Sequence, residues 1–552
     1  MEIKNIVENV IGGRSKRGLE ILQAALVLGV LGDSLLRAAP WGLNFFLWVT
    51  MLAVGLWVIA FRSGKEKLNL NSILLHGGLI FFAAMFVWRD SIQLMVTDVF
   101  AILAILAVLT LPALKLNMRQ SGLAHYALGW VYSGFNIVFA PFLLLISDIK
   151  FSSVPRGQGT RHLAAALRGI LVALPLLFIF GALFMAADAA YQELIEKTFH
   201  IDFALIINHF LLISFLSWIT AGYLRGSTFS FFEKAEKDEP STDNDPLKLD
   251  LSEKNTSAGE KKKTAWNLQD INNSFLPRYF TLGAVELSVA LGLMNLLFLS
   301  FVIVQIPYLF GGLDLVQNTE NLKLAEYARR GFGELVFVSF LVLPILLAAH
   351  WLIKKDDRVS HRIYQFLAGT QIALLFVIML SAAQRMLLYT GSSGYGLTTL
   401  RFYPMVFMVW LAVVFVWFAV TVFRGRRDQF AWGTLWAALG FLAVLHVFNP
   451  DNFIARTNFA LMRSGRSFDT KYIKELSDDA VPALLDEMPL LDPQQKCLVQ
   501  KDLNKRLAQE ENAADLRSWN WSRVNARYQL NAAIAGREVS GCEEEEEDTI
   551  GR

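Results

Sequence analysis

The side chains best suited to chemistry gather in a few short strings in the second half of the chain. Glu326-Tyr327-Ala-Arg-Arg330-Gly-Phe-Gly-Glu334 sets Tyr327, Arg330 and Glu334 three and four residues apart, so they share one helical face. Arg385 and Tyr389 repeat that spacing, and Arg401-Phe-Tyr403 follows in the run Tyr395-Gly-Leu-Thr398-Thr-Leu-Arg401-Phe-Tyr403. Guanidinium groups beside phenols suit an anion such as phosphate or carboxylate, because the guanidinium fork binds it bidentately and the phenol adds a hydrogen bond. The competing reading is that Arg and Tyr anchor helices at a membrane interface, with Glu326–Arg330 and Arg330–Glu334 as ordinary helix ion pairs.

A second class is polar residues inside apolar runs, where an ionisable or amide group is costly. Glu286 lies about two turns into the run 279–306, Asn295 is nearer its middle, and Gln305 is near its end. Glu286 and Asn295 are nine residues apart, which at 100° per residue turns them to opposite faces. Asp33, Asp98 and Asp188 fall near expected helix ends, where capping or interfacial roles are the ordinary ones. His76, His209, His350 and His446 are scattered over separate runs without HxxxH or HExxH spacing, so no metal site and no cofactor is expected. Cys497 and Cys542 form no CxxC pair, and one disulfide or two thiols are both open. With no GxSxG elbow and no P-loop, an enzyme is the less favoured class.

These residues must be positioned by membrane helices. The chain has 552 residues, 54% hydrophobic and only 18% charged, with a mean hydropathy of +0.41, too apolar for an average soluble protein. Its net charge of +2 gives no field suited to nucleic acid. Apolar runs near 20–38, 41–61, 72–88, 95–115, 126–147, 168–187, 203–223, 279–306, 331–353, 364–388, 402–423 and 430–448 have the length of a helix that crosses a hydrocarbon layer. The expected class is therefore all-α: a polytopic transmembrane bundle of eleven or twelve spans with a small C-terminal helical extramembrane domain. The divisions are a cytoplasmic segment 1–19, N-terminal spans over 20–223, a charged and disordered linker 224–278, motif-rich spans over 279–448, a helical tail 449–536 and an acidic end 537–552. Within the tail, helices are expected over 451–464, 470–488, 493–509 and 515–535.

Orientation follows from Lys and Arg in short loops. Lys354, Lys355, Arg358 and Arg362, and then Arg424, Arg426 and Arg427, mark two loops as cytoplasmic, which puts the tail outside. Alternation then conflicts with a Lys-bearing cytoplasmic N-terminus, unless one early run is not a full span. The run 126–147, with Asn136 and Pro141, is the candidate; an outside N-terminus with twelve spans is the alternative.

The strings Arg168-Gly, Ala186-Ala-Asp188, Val285-Glu286, Gln305 to Tyr308-Leu-Phe-Gly-Gly, Glu326 to Glu334, Gln384-Arg385-Met386, Tyr395 to Thr398, Arg401-Phe-Tyr403, Asn449-Pro-Asp451, Asp478-Asp-Ala-Val-Pro482-Ala-Leu and Trp519-Asn-Trp-Ser-Arg523 resemble a family of multi-spanning bacterial membrane proteins. That family is domain of unknown function 4173, with a related family numbered 4153. The resemblance runs from about residue 20 to 530 and implies a multi-pass protein of the bacterial inner (plasma) membrane, with no activity to carry over.

The favoured functional reading is binding or transport of an anionic lipid or small molecule at the outward Arg/Tyr cluster, with membrane lipid as a partner. The alternative is an envelope scaffold or sensor whose tail and charged loop bind envelope proteins. Nucleic acid is not an expected partner, and the oligomeric state is open.

Overall fold

The computed structural model describes residues 2–62, 69–149, 203–229, 283–310, 332–353, 358–387, 396–465, 470–511 and 515–534, with the single residues 180, 184, 187, 188 and 390. Tyr327, Arg330, Tyr389, Cys542, most of the run 168–187, the linker beyond 229 and the acidic end lie outside the described residues. The chain is an all-α polytopic bundle. Eleven helices among the described residues are long and apolar enough to cross a membrane. Their outward faces carry large apolar side chains such as Phe210, Leu293, Phe366 and Val447, as expected where hydrocarbon replaces water.

The chain divides into two compact units, 1–37 with 51–67 and 131–236, and 38–50 with 68–130 and 237–552. The first unit holds α1 (Glu2–Leu36), the second part of α2 (Leu43–Arg62), the last two-thirds of α5 (Leu123–Leu143) and α6 (Phe203–Thr228). Helices α1 and α6 run antiparallel. Asp33 meets His209 at 2.5 Å near one end, Gly29 lies against Ser217 in the middle, and Arg14 and Arg225 share Asp148 near the other end at 2.7 and 2.6 Å.

Helix α5 does not run alongside α6 but crosses it. The Tyr132 hydroxyl donates to the carbonyls of Gly226 and Phe229, Trp218 donates to the carbonyl of Val138, and Asp148 returns to Arg225. Both ends of 132–148 thus reach the same end of α6. The crossing is close because Gly222 and Gly226, four apart on one helical face, present bare backbone: a Cβ there would lie 2.6 Å from the Asn136 carbonyl oxygen and 2.5 Å from its side chain. Past Pro141 the helix widens into a π turn over Leu144–Asp148, closed by Ile149 N–H on the Leu144 carbonyl. The run 126–147 is thus one unbroken helical segment, long enough to span by length, yet set across its neighbour.

The second unit contains α3 (Leu70–Trp88), α4 (Ile92–Leu109), α7 (Ala284–Phe310), α8 (Phe332–Leu352), α9 (Arg358–Leu387), α10 (Thr399–Thr421) and α11 (Phe430–Phe448). Helices α7 and α9 run parallel: Asn295 donates to the Leu367 carbonyl, and Ser381 to the Gln305 side chain. Helix α8 runs antiparallel to α9, with the Tyr364 hydroxyl on the Leu346 carbonyl. The start of α9, with Arg358 and Arg362, and the basic turn after α10 sit at one end of this bundle, where Gln365 donates to the Phe423 carbonyl.

The tail builds on the opposite ends of α10 and α11. It comprises α12 (Pro450–Arg463), a helical turn Thr470–Ile473, α13 (Val481–Glu487), α14 (Pro493–Glu511) and α15 (Trp521–Ile534). The single helix expected over 470–488 is instead broken at Ser477. Its N–H and hydroxyl both donate to Asp451, which pulls the chain out of helical register. Leu397 and Phe402, around the start of α10, share one apolar core with Ile454, Phe459, Val481, Leu484, Leu503 and Leu530, so the tail is packed onto the bundle.

Candidate functional site: the seam beneath the tail

The turn between α3 and α4 is three residues long, Arg89-Asp90-Ser91, and it carries the tail. Arg89 Nε donates to the His446 carbonyl at 2.8 Å and its Nη1 meets Asp479 at 3.1 Å. Asp479 also accepts the backbone N–H groups of Asp90 and Ser91 at 2.8 and 3.1 Å. Those donors precede the first turn of α4, where the helix dipole favours a carboxylate. Asn520 closes the end of α3 by donating to the carbonyls of Phe86 and Arg89, both at 2.8 Å. The Trp519 carbonyl accepts the N–H of Leu43 at the start of α2, and Arg523 donates to the Trp41 carbonyl. Groups left open by three helix ends are thus satisfied by two tail segments, Asp479 and residues 519–523.

Helices α10 and α11 feed the same seam. Leu397 and Asn458 exchange two hydrogen bonds of 2.6 and 2.9 Å, and the N–H of Thr399 donates to the Tyr472 hydroxyl at 2.6 Å. Gly396 has φ +68°, and a Cβ on it would lie 2.8 Å from Asn458 Oδ1, so two constraints hold glycine there. At the far side Asn449, at φ +55°, turns the chain out of α11 and caps α12 by accepting the Asn452 N–H.

The seam gathers negative charge. Asp90 lies near Asp478 and Asp479, and its carboxyl is pushed up to about 7, chiefly by burial and then by the Asp478 charge, with Arg523 opposing. Burial also raises Asp451, against the bonds from Ser477, and one of its oxygens is buried without a partner among the described residues. The Tyr403 hydroxyl faces Ser91, Asp451 and Asp479, with no partner in strict hydrogen-bond geometry among the described residues. Below this layer, Asp98 of α4 and His446 of α11 meet at 2.8 Å, 1% and 0% exposed.

Tyr327, Arg330 and Tyr389 of the expected Arg/Tyr cluster lie outside the described residues, and the other members have these partners among the described ones. Arg385 donates to the Gln305 side chain, which also accepts from Ser381 at 3.1 Å. Arg401 folds back onto the Gly396 carbonyl, while Tyr403 belongs to the carboxylate seam. Glu334 is exposed in the first turn of α8. Glu286 accepts the N–H of Gly283 at 3.0 Å, the reciprocal bond of a helix-start carboxylate. Asn295 holds the Leu367 carbonyl. Asp98 is not at a helix end; it lies past the first turn of α4, facing His446.

Arg89, Asp98, His446 and Asp479 are the functional candidates that sequence reasoning passed over. A signal existed for Arg89, a basic residue in a short turn on the side opposite the Lys/Arg-rich loops. No spacing could pair Asp98 with His446, 348 residues away. The strings around Arg401–Tyr403, Asn449–Asp451, Asp478–Leu484 and Trp519–Arg523 all converge on the seam. No curated protein and no solved structure matches the chain. A model of the family described as domain of unknown function DUF4153 matches residues 76–487, well over half of the sequence, and the chain belongs to that family.

Proposed function

We propose that this multi-pass protein sits in a bacterial inner membrane and acts as an envelope scaffold or sensor, holding its helical tail on the outer face for partner proteins. The observation that supports this reading is the seam: a domain tied to the ends of α2, α3, α4, α10 and α11 through buried polar bonds is held for display. Sidedness follows from the basic turns at the other end of the same bundle. Because α5 returns to one end of α6, it need not be counted as a crossing. With 168–187 as a span, alternation then places the Lys-bearing N-terminus inside and the tail outside.

The test is cysteine accessibility in a cysteine-free background. An impermeant maleimide added to intact cells labels cysteines introduced at 90 and 500 and spares those at 10 and 240. Labelling at 240 with protection at 500 overturns the orientation. Deleting residues 455–552 then abolishes the cellular phenotype of the gene if the tail is the working part; full function without it overturns the scaffold reading.

A second reading is kept by one observation, the Gln305, Ser381 and Arg385 group, where a guanidinium and two further polar side chains meet inside the bundle. Among the described residues this group suits an anionic lipid headgroup or small molecule. Native mass spectrometry of wild type beside Arg385→Ala tests it: a bound mass lost in the variant supports ligand handling, and a bare wild-type chain removes it.

A further inference from the structure

The Asp98–His446 pair is more deeply buried than its place in a seam requires. Both residues lie within helices long and apolar enough to span, and both side chains are effectively closed to solvent. Asp98 Oδ1 and His446 Nε2 are 2.8 Å apart, while Asp98 Oδ2 and His446 Nδ1 are buried with no hydrogen-bond partner among the described residues. A core histidine kept for packing would ordinarily have both nitrogens satisfied.

Around this end of α11 the titratable or charged groups are Arg89 and Asp90 (the α3–α4 turn), Asp98 (α4), Arg401 and Tyr403 (α10), Asp451 (α12) and Asp479 of the tail. Of these, Asp98 alone bonds the imidazole among the described residues; Arg89 holds the His446 carbonyl instead. The imidazole therefore has one charged partner. The site lies immediately beneath the Asn449 turn where the tail leaves the bundle.

We propose that Asp98 and His446 form an intramembrane proton-binding site. In the empty form, carboxylate and neutral imidazole share the Nε2 proton and the pair carries one negative charge. Uptake of one proton at Nδ1 gives carboxylate and imidazolium, with no net charge. An apolar surrounding penalises net charge, so it favours the loaded form. The single exchanging ligand is H⁺, and no other reactant is required. The inference stands whether or not the tail binds partner proteins.

The test uses the full chain in lipid nanodiscs with isotope-labelled histidine, the His446 ring signals being identified by their loss in His446→Gln. The result expected of the proposal is a wild-type ring signal of the loaded, imidazolium form. In Asp98→Asn, which keeps shape and removes the charge, the protonation midpoint falls by about one pH unit or more, a tenfold loss of proton affinity. A wild-type ring neutral from pH 5 to 9 (roughly the His range) overturns the proposal, as does a midpoint unmoved by Asp98→Asn. Should Asp98→Asn fail to fold, the wild-type titration alone still decides between loaded and neutral.

Discussion

Arg89 and Asp479 are 390 residues apart in sequence and 3.1 Å apart in space, with side chains 12% and 1% exposed. The carboxylate is held by one guanidinium and two backbone N–H groups, so removing it leaves three donors unpaired at once. Asp479→Ala is expected to destabilise tail docking by about 3–5 kcal/mol, the usual cost of breaking a buried pair from one side. Limited proteolysis in detergent should then cleave the tail well before the spans. The double change Arg89→Met with Asp479→Leu should recover part of the loss, because it leaves no stranded charge.

Docking should also depend on pH. Asp90 has its carboxyl raised to about 7 in the docked seam, against 3.8 for the free side chain. A raised carboxyl means that the docked state favours the protonated form. Docking is therefore strongest at acid pH, weakens as pH climbs from about 4 to 7, and levels off above that. Asp90→Asn should flatten the profile. Rates of tail proteolysis measured across this range, for wild type and variant, check the sign; docking that strengthens with rising pH would contradict it.

The crossing of α5 over α6 makes a packing prediction. Gly226→Ala puts a methyl group 2.5 Å from Asn136, and Gly222→Ala puts one 2.6 Å from its carbonyl oxygen. Each should cost about 1–3 kcal/mol, the usual penalty for overpacking, seen as a lower thermal midpoint in detergent. Gly292→Ala and Gly440→Ala meet nothing within 4 Å. Both should be neutral or slightly stabilising, since alanine is the better helix former.

Capping by the tail can be tested at Asn520. Its amide donates to two carbonyls at the end of α3, so Asn520→Ala should cost about 1–3 kcal/mol through unsatisfied buried acceptors. Asn520→Asp should be no better, because a carboxylate faces those carbonyls with no proton to donate. Thermal unfolding of the purified protein compares the two.

Much of the fold was legible in the apolar runs, because span length is fixed by hydrocarbon thickness and some helix starts are marked by proline, as at Pro450 and Pro493. The tail showed through its amphipathic spacing. What the pattern could not supply was angle and partnership. Asn136 and Pro141 marked 126–147 as unusual, but only three-dimensional structure shows Gly222 and Gly226 receiving it crosswise. Their place at the expected outer ends of the spans grouped Arg385, Arg401 and Tyr403, whereas among the described residues Arg385 meets the Gln305 side chain, Arg401 the Gly396 carbonyl and Tyr403 the carboxylate seam. Asp98 read as a capping residue because its partner lies on a helix 348 residues away, a distance over which no periodicity carries information.

The turn Arg89-Asp90-Ser91 is synthesised early, and the segments that satisfy it, Asp479 and Asn520, emerge hundreds of residues later. Through most of translation that turn carries a bare guanidinium and open backbone donors at the membrane surface, and it can be closed only when the last helices arrive. Closure of the early turn therefore depends on the late helices bringing Asp479 and Asn520 to the same end of the bundle as residues 89–91.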